Sequence, residues 1–260
     1  MSRRRPPRSH GQLRQSGGGG SAWVWGTHPV LAALTNEGRG CRRLLATADA
    51  LRAHPDIVAL LAGRHLSPET VDRSAIDSIL PAGAVHQGVA LAVEPLDESN
   101  IDDLAAAAEG RDPAVVVVLD QVTDPHNLGA IMRSAAAFGA LGVIVTERHA
   151  PGETGTLAKA ASGAMERVPL VRAINLARAL DELKSAGFWI AGLAGDAPGT
   201  LAAAKLSGKI ALVLGAEGEG MRRLTRERCD LLVKLPQTDA VESLNVSNAA
   251  AVALYELFRR

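Results

Sequence analysis

From residue 114 onward the chain alternates between unbroken apolar runs and mixed stretches. AVVVVLD, GVIVTE, VPLV, FWIAGL, IALVLG and LLVKL are separated by helical or turn-rich segments of about 12–20 residues. Runs of contiguous Val, Ile and Leu, without the in-and-out alternation of a half-wet sheet, predict strands covered on both faces. That spacing predicts βα units and a parallel sheet. In open α/β sheets ligands sit beyond the carboxyl ends of the strands. The loops after Asp120, Gly215 and Leu235 are therefore the first places to look for chemistry. No internal repeat is visible.

The region before residue 112 patterns differently. GTHPVLAAL predicts a helix, RRLLAT a strand, ALRAHPDIVALLAG a second helix, and GVALAVEP a closing strand bounded by proline. Together they predict a small α/β domain over residues 21–95. Residues 96–111 are acidic and alanine-rich, a short helix or tether, and residues 112–260 form the larger domain. Residues 1–20, arginine-rich and closing on a glycine run, read as a disordered basic tail.

Composition narrows the class. At 47% hydrophobic, the 260-residue chain is too apolar to be disordered. Cys41 and Cys229 form one distant pair without CxxC spacing, which indicates neither a disulfide framework nor a cysteine metal site and fits a reducing cytoplasm. No apolar run approaches the roughly 18–20 residues that span a bilayer. The arginine-rich start has no hydrophobic core behind it, so no secretory signal and no membrane partner are expected.

The 28 basic and 28 acidic residues balance overall but not locally. The first 20 residues hold Arg3, Arg4, Arg5, Arg8 and Arg14 and no acid. Glu94, Asp97, Glu98, Asp102, Asp103 and Glu109 crowd the predicted tether. A basic tail attracts polyanions at long range. In the small domain Arg39, Arg42 and Arg43 cluster beside Gly38 and Gly40. They are either a solvated loop or a patch contacting RNA phosphates.

Three segments at predicted strand ends carry candidate chemistry. In QVTDPHNLGAIMRSAAAFGA, Asp124 and Pro125 make a turn, Asn127 is a natural helix cap, and Arg133 follows about two turns in. Gly129 shares a face with Arg133 and predicts open space through which a substrate could reach the guanidinium; an ordinary surface arginine is the alternative. In KIALVLGAEGEGM, a buried strand runs into Gly215, Gly218 and Gly220, with Glu217 and Glu219 among them. The spacing matches neither GxGxxG nor GxxxxGK[ST], which argues against a dinucleotide fold of the dehydrogenase type and against a P-loop. In PQTDAVESLNVSNAAAVALYELF, Ser243, Asn245, Ser247 and Asn248 open a terminal helix so uniformly apolar that burial is expected. Polar groups at a buried helix start need partners, as caps or as ligand contacts.

Together, Asn127-Leu-Gly-Ala-Ile-Met-Arg133, Leu214-Gly-Ala-Glu-Gly-Glu-Gly-Met221 and Ser243-Leu-Asn-Val-Ser-Asn248 resemble, in order and separation, the SpoU (TrmH-type) family of RNA ribose 2′-O-methyltransferases. The resemblance covers roughly residues 112–260. Residues 22–95 resemble the small L30e-like substrate-binding domain that precedes the catalytic domain in the rRNA guanosine methyltransferase branch. The family implies a parallel-sheet α/β domain with a C-terminal trefoil knot, S-adenosylmethionine as cofactor, and an active site at a homodimer interface. It implies Asn127, Arg133, Glu217, Ser247 and Asn248 as catalytic residues. Leu214, Gly215, Gly220, Leu235, Pro236, Ser243, Leu244 and Asn245 would bind the cofactor, and no metal is implied. Asp239 departs from the glycine many relatives carry.

The reaction so implied is methyl transfer to a ribose 2′-hydroxyl of structured RNA, foremost a guanosine of 23S rRNA. A tRNA ribose methyltransferase and a non-catalytic RNA-binding or resistance protein are the alternatives.

Overall fold

The computed structural model describes residues 22–259 except 149, 151, 153, 239, 241 and 242. The readings made of the basic tail and of Asp239 lie outside the described residues. The small domain comprises β1 (Ala22–Trp25), α1 (Thr27–Thr35), β2 (Cys41–Ala46), α2 (Ala48–Ala53), α3 (Pro55–Gly63), β3 (Pro68–Thr70), α4 (Arg73–Asp77) and β4 (Val89–Val93). Its four-stranded sheet has the order β1-β4-β2-β3, antiparallel except between β2 and β3. Val89, Leu91 and Val93 pack with α1 and α3 on one face, while Ala90, Trp25 and Leu45 pack with Ile76 and Leu80 on the other. The helix expected over 50–63 is two helices. Pro55 opens α3, and a residue preceding proline is pushed out of the helical region, which is where His54 sits at φ −129° and ψ 71°.

The larger domain continues with α5 (Ile101–Ala107), β5 (Ala114–Asp120), α6 (Pro125–Phe138), β6 (Gly142–Thr146), α7 (Gly155–Ala161), a 3₁₀ turn at Ala164–Glu166, β7 (Leu170–Ala173) and α8 (Leu176–Ser185). It closes with β8 (Trp189–Leu193), β9 (Gly199–Thr200), α9 (Leu201–Ala204), β10 (Lys209–Gly215), α10 (Arg223–Arg228), β11 (Leu231–Lys234) and α11 (Val246–Phe258). Seven strands in the order β7-β6-β5-β10-β8-β11-β9 form one sheet, and every recorded pairing is parallel. Val115, Val117 and Leu119 of β5 face a core shared with α6, α7 and α11. Ala114, Val116 and Val118 face the opposite core with α5 and α8. Both faces are dry, which is why the strands read as continuous apolar runs.

The acidic stretch at 96–111 is more than a tether. Asn100 and Asp103 close a reciprocal cap on α5, and Leu104 of that helix is fully buried against Gly142 of β6. Nor is α11 buried all round. It buries Val246, Ala250, Ala253 and Leu254 but leaves Val252 48% and Tyr255 56% exposed.

The two domains meet where small residues let backbones approach. A Cβ on Gly155 would overlap the Trp25 ring, and one on Gly163 would crowd Ala32. Lys159 donates to Gln87 Oε1 at 2.9 Å, and Asn36 Nδ2 donates to Glu166 Oε2 at 2.9 Å.

Candidate active site

Asp120 ends β5 wholly buried, and its two oxygens reach across to the loop after the neighbouring strand. Oδ2 accepts from the Arg222 backbone N–H at 2.8 Å and Oδ1 from Arg222 Nε at 2.7 Å. This pins the far end of the glycine loop 215–221 to the sheet. The near end is held by its own backbone, because Ala216 and Gly220 bridge each other and a Cβ on Gly215 would overlap the Gly220 carbonyl group. Gly218 and Gly220 adopt φ of +78° and +69°, the left-handed region that side chains resist. No described residue lies within 4 Å of where their Cβ atoms would be, so among the described residues both border open space.

That space is a cleft of about 340 Å³ at the carboxyl ends of β8, β10 and β11. Among the described residues its apolar wall includes Leu193, Leu214, Met221, Leu235 and Leu244, and its charged groups are Asp196, Glu217, Glu219 and Arg226. Arg226 donates to Asp196 at 2.8 Å, and this bond is the main reason the Asp196 carboxyl is held below its usual range. Of the residues expected to hold a cofactor, Leu214, Gly215, Gly220, Leu235, Ser243 and Leu244 line this cleft. Pro236 does not; it follows Leu235 into solvent. Asn245 also stays out of the lining and is engaged beside it.

Glu217 gathers the three motifs. Its Oε1 accepts from Asn127 Nδ2 at 3.2 Å, Asn245 Nδ2 at 2.5 Å and the Val246 backbone N–H at 3.2 Å, and Asn245 Nδ2 also reaches Asn127 Oδ1 at 2.9 Å. Asn245 caps α11, its Oδ1 accepting from the backbone N–H groups of Ser247 and Asn248 and from Ser247 Oγ at 2.6 Å. Asn127 is not the cap of α6. Asp124 holds that position, accepting from the His126 N–H at 3.0 Å, and Asn127 lies inside the first turn with its amide free to cross to Glu217.

Arg133 lies apart from this network. It is exposed, has no hydrogen-bond or ion-pair partner among the described residues, and lines a separate groove against α1. The space expected beside it at Gly129 is filled. A Cβ there would come within 2.7 Å of the Ala160 carbonyl carbon, so this glycine serves the packing of α6 on α7.

The arginine trio of the small domain divides. Arg42 and Arg43 stand on β2, exposed, and are neutralised by Glu94 at 2.9 Å and Glu69 at 2.6 Å. Arg39 is 5% exposed and faces Glu166 at 3.4 Å across the domain seam. Its burial against Glu166 takes it off the exposed surface that RNA could contact.

The loop after β8, Leu193–Asp196, was not anticipated although it forms one wall of the cleft. The strand-end rule covers it, and GLAGD after an apolar run was its signal. Among the described residues no helix is long and apolar enough to cross a membrane.

A parallel sheet whose strand ends enclose a glycine-framed cleft defines an α/β domain built to hold a small ligand beside a polar network. The SpoU rRNA Methylase family model matches residues 114–255, and the model named RNA 2'-O ribose methyltransferase substrate binding matches residues 23–99. The chain belongs to the SpoU rRNA methylase family. It is 42% identical over 242 residues to the 23S rRNA (guanosine-2'-O-)-methyltransferase RlmB of Xylella fastidiosa, spanning 92% of this chain and 96% of that one. It is 41% identical over 251 residues to the protein of the same name from Escherichia coli, spanning 92% and 99%. Among solved structures, the SpoU methyltransferase AviRb of Streptomyces viridochromogenes in complex with AdoMet superposes with a TM-score of 0.76 at 25% identity, over 92% of this chain and 89% of that one.

Proposed function

We propose that the protein transfers a methyl group from S-adenosylmethionine to a ribose 2′-hydroxyl of RNA, at a guanosine of 23S rRNA. The observation that carries this reading is the junction at Glu217, where the three segments that define the family meet at the rim of a ligand-sized cleft. Near full-length relatives named for that reaction supply the substrate.

The residues present fit the cofactor. Leu193, Leu214, Met221, Leu235 and Leu244 offer an apolar wall to a purine, and the exposed peptide edges of the 215–220 loop offer hydrogen bonds. Asp196, Glu217 and Glu219 supply negative charge for a ligand carrying an ammonium and a sulfonium. Bound there, S-adenosylmethionine supplies an electrophilic methyl group on a positively charged sulfur.

A ribose hydroxyl is a weak nucleophile at neutral pH, so a group beside it must stabilise the negative charge that builds as its proton passes to solvent water. Arg133 is assigned that task. Its guanidinium offers only N–H donors and positive charge, and acts as an electrostatic stabiliser and ribose clamp rather than as a base. Asn127 and Glu217 order the loop between cofactor and substrate, while Ser247 and Asn248 hold the start of α11 against it.

We further read the molecule as a homodimer with a shared site. Arg133 does not line the cleft of its own chain, and α11 presents Val252 and Tyr255 to solvent, both of which favour a second copy completing the site. The insertion of β10 between β5 and β8 and the return of α11 onto the face of α6 support a trefoil knot. The mixed four-stranded sheet with its flanking helices supports an L30e-like small domain.

Tritiated-methyl transfer from S-adenosylmethionine to purified 23S rRNA and tRNA tests the reading. Label is expected in 23S rRNA alone. Arg133→Ala is expected to cut the rate by about 100- to 1,000-fold while calorimetric binding of S-adenosylmethionine survives. Failure of the wild-type protein to bind the cofactor or to label either RNA would overturn it.

A further inference from the structure

Arg133 shares its groove with a second unclaimed cation. The groove, about 400 Å³, runs along the domain seam, with His28, Leu31 and Ala32 of α1 on one side and Arg133, Gly163 and Arg167 on the other. His28 and Arg167 are exposed, and like Arg133 their side chains have no hydrogen-bond or ion-pair partner among the described residues. Among the described residues no acidic side chain lines the groove. This sets it apart from most of the arginine-bearing surface, where Arg42, Arg43, Arg178, Arg223 and Arg228 each meet a carboxylate within 3.0 Å. The neighbouring carboxylate, Glu166, is 5% exposed and turned inward onto Arg39 and Asn36, so it fixes the groove without neutralising it.

We propose that this seam groove holds the sugar-phosphate backbone of the RNA strand that carries the target ribose. Arg167 and His28 contact the phosphates that flank the nucleotide engaged by Arg133. The proposal rests on the methyl-transfer reading above and adds to it a substrate site built from both domains. Backbone contacts of this kind set register and carry most of the salt dependence of RNA binding, whereas an arginine already paired with a carboxylate releases few counterions. The small domain thus contributes to the reaction through His28, on the first turn of α1, and not through the paired arginines of β2.

Fluorescence anisotropy with a 23S rRNA transcript, repeated over a series of salt concentrations, tests this alongside calorimetry with S-adenosylmethionine. Arg167→Gln is expected to weaken RNA binding roughly tenfold and to flatten the slope of log K against log salt by about 0.7–0.9, the value of one phosphate contact. His28→Ala is expected to raise KM for RNA, and Arg167→Lys to recover most of the wild-type affinity. Cofactor affinity stays unchanged in all three. An unchanged Kd and salt slope in Arg167→Gln, or an equal loss in Arg42→Gln, overturns the groove. Absence of methyl transfer by the wild-type protein would instead remove the reaction and leave the groove standing on RNA binding alone.

Discussion

Asp120→Asn isolates the anchor of the glycine loop. Asp120 is 0% exposed and accepts two hydrogen bonds from one residue, Arg222, whose side chain is 44% exposed. Asparagine keeps the volume and one acceptor oxygen but turns an amide N–H₂ toward a donor, so one of the two bonds is lost. A hydrogen bond to a charged group contributes about 1.5–3 kcal/mol, and leaving a buried group unpaired adds to the loss. The Arg222 guanidinium is half in water and can be resolvated, which keeps the total within that range, about 2–3 kcal/mol. The urea midpoint should fall with the m-value unchanged, since the folded surface is not altered.

Because that cost falls on the loop framing the cleft, the Kd for S-adenosylmethionine should rise by about 10- to 100-fold by calorimetry, at 1.4 kcal/mol per decade. A variant within about 0.5 kcal/mol of wild type, the range of an ordinary surface substitution, would refute the reasoning. So would a loss of stability with unchanged cofactor affinity, which would mean that the pair holds the sheet and not the cleft.

Two further outcomes follow from packing and burial. Gly129→Ala should destabilise the protein by about 1–3 kcal/mol in urea titration, because the added methyl meets the Ala160 and Ala161 backbone and this outweighs the helix propensity gained; an unchanged or raised midpoint would contradict the close approach of α6 and α7. Burial pushes the Cys229 thiol up to about 11, against the opposing pull of Lys184. The thiol is therefore neutral at physiological pH, and its alkylation by iodoacetamide in the folded protein should reach half its limiting rate near pH 11; a half-rate point at the usual free-thiol value of about 8.5 would contradict the burial.

Most of the principal strands of the larger sheet were legible because they are apolar on both faces, a pattern that survives without tertiary context. β1 was not. AWVW is only four residues long, and its partner β4 lies far along the chain. The cleft was legible in part, since Gly215 and Leu235 end apolar runs, while Leu193–Asp196 carries no polar cluster to draw attention. Local patterning misjudged Arg39, Asn127 and Gly129 for a common reason. Each is defined by a partner distant in sequence, namely Glu166, Glu217 and Ala160, and nothing nearby in the chain records it. The junction of the three motifs at Glu217 is likewise invisible to periodicity; the family resemblance named its residues but not the hydrogen bonds that join them.

The position of β10 bears on how the polypeptide matures. Seven residues of β10 pair with β5 and four with β8, so the strand made nearly last in synthesis fills the middle of the sheet. A nascent chain that has emerged only to residue 208 can assemble β5, β6 and β7, but it carries a bare hydrogen-bonding edge on β5 and an orphaned β8. Premature termination between the end of β7 and Lys209 therefore leaves a sticky half-sheet instead of a smaller working domain, and clearance of such fragments falls to chaperones and proteases.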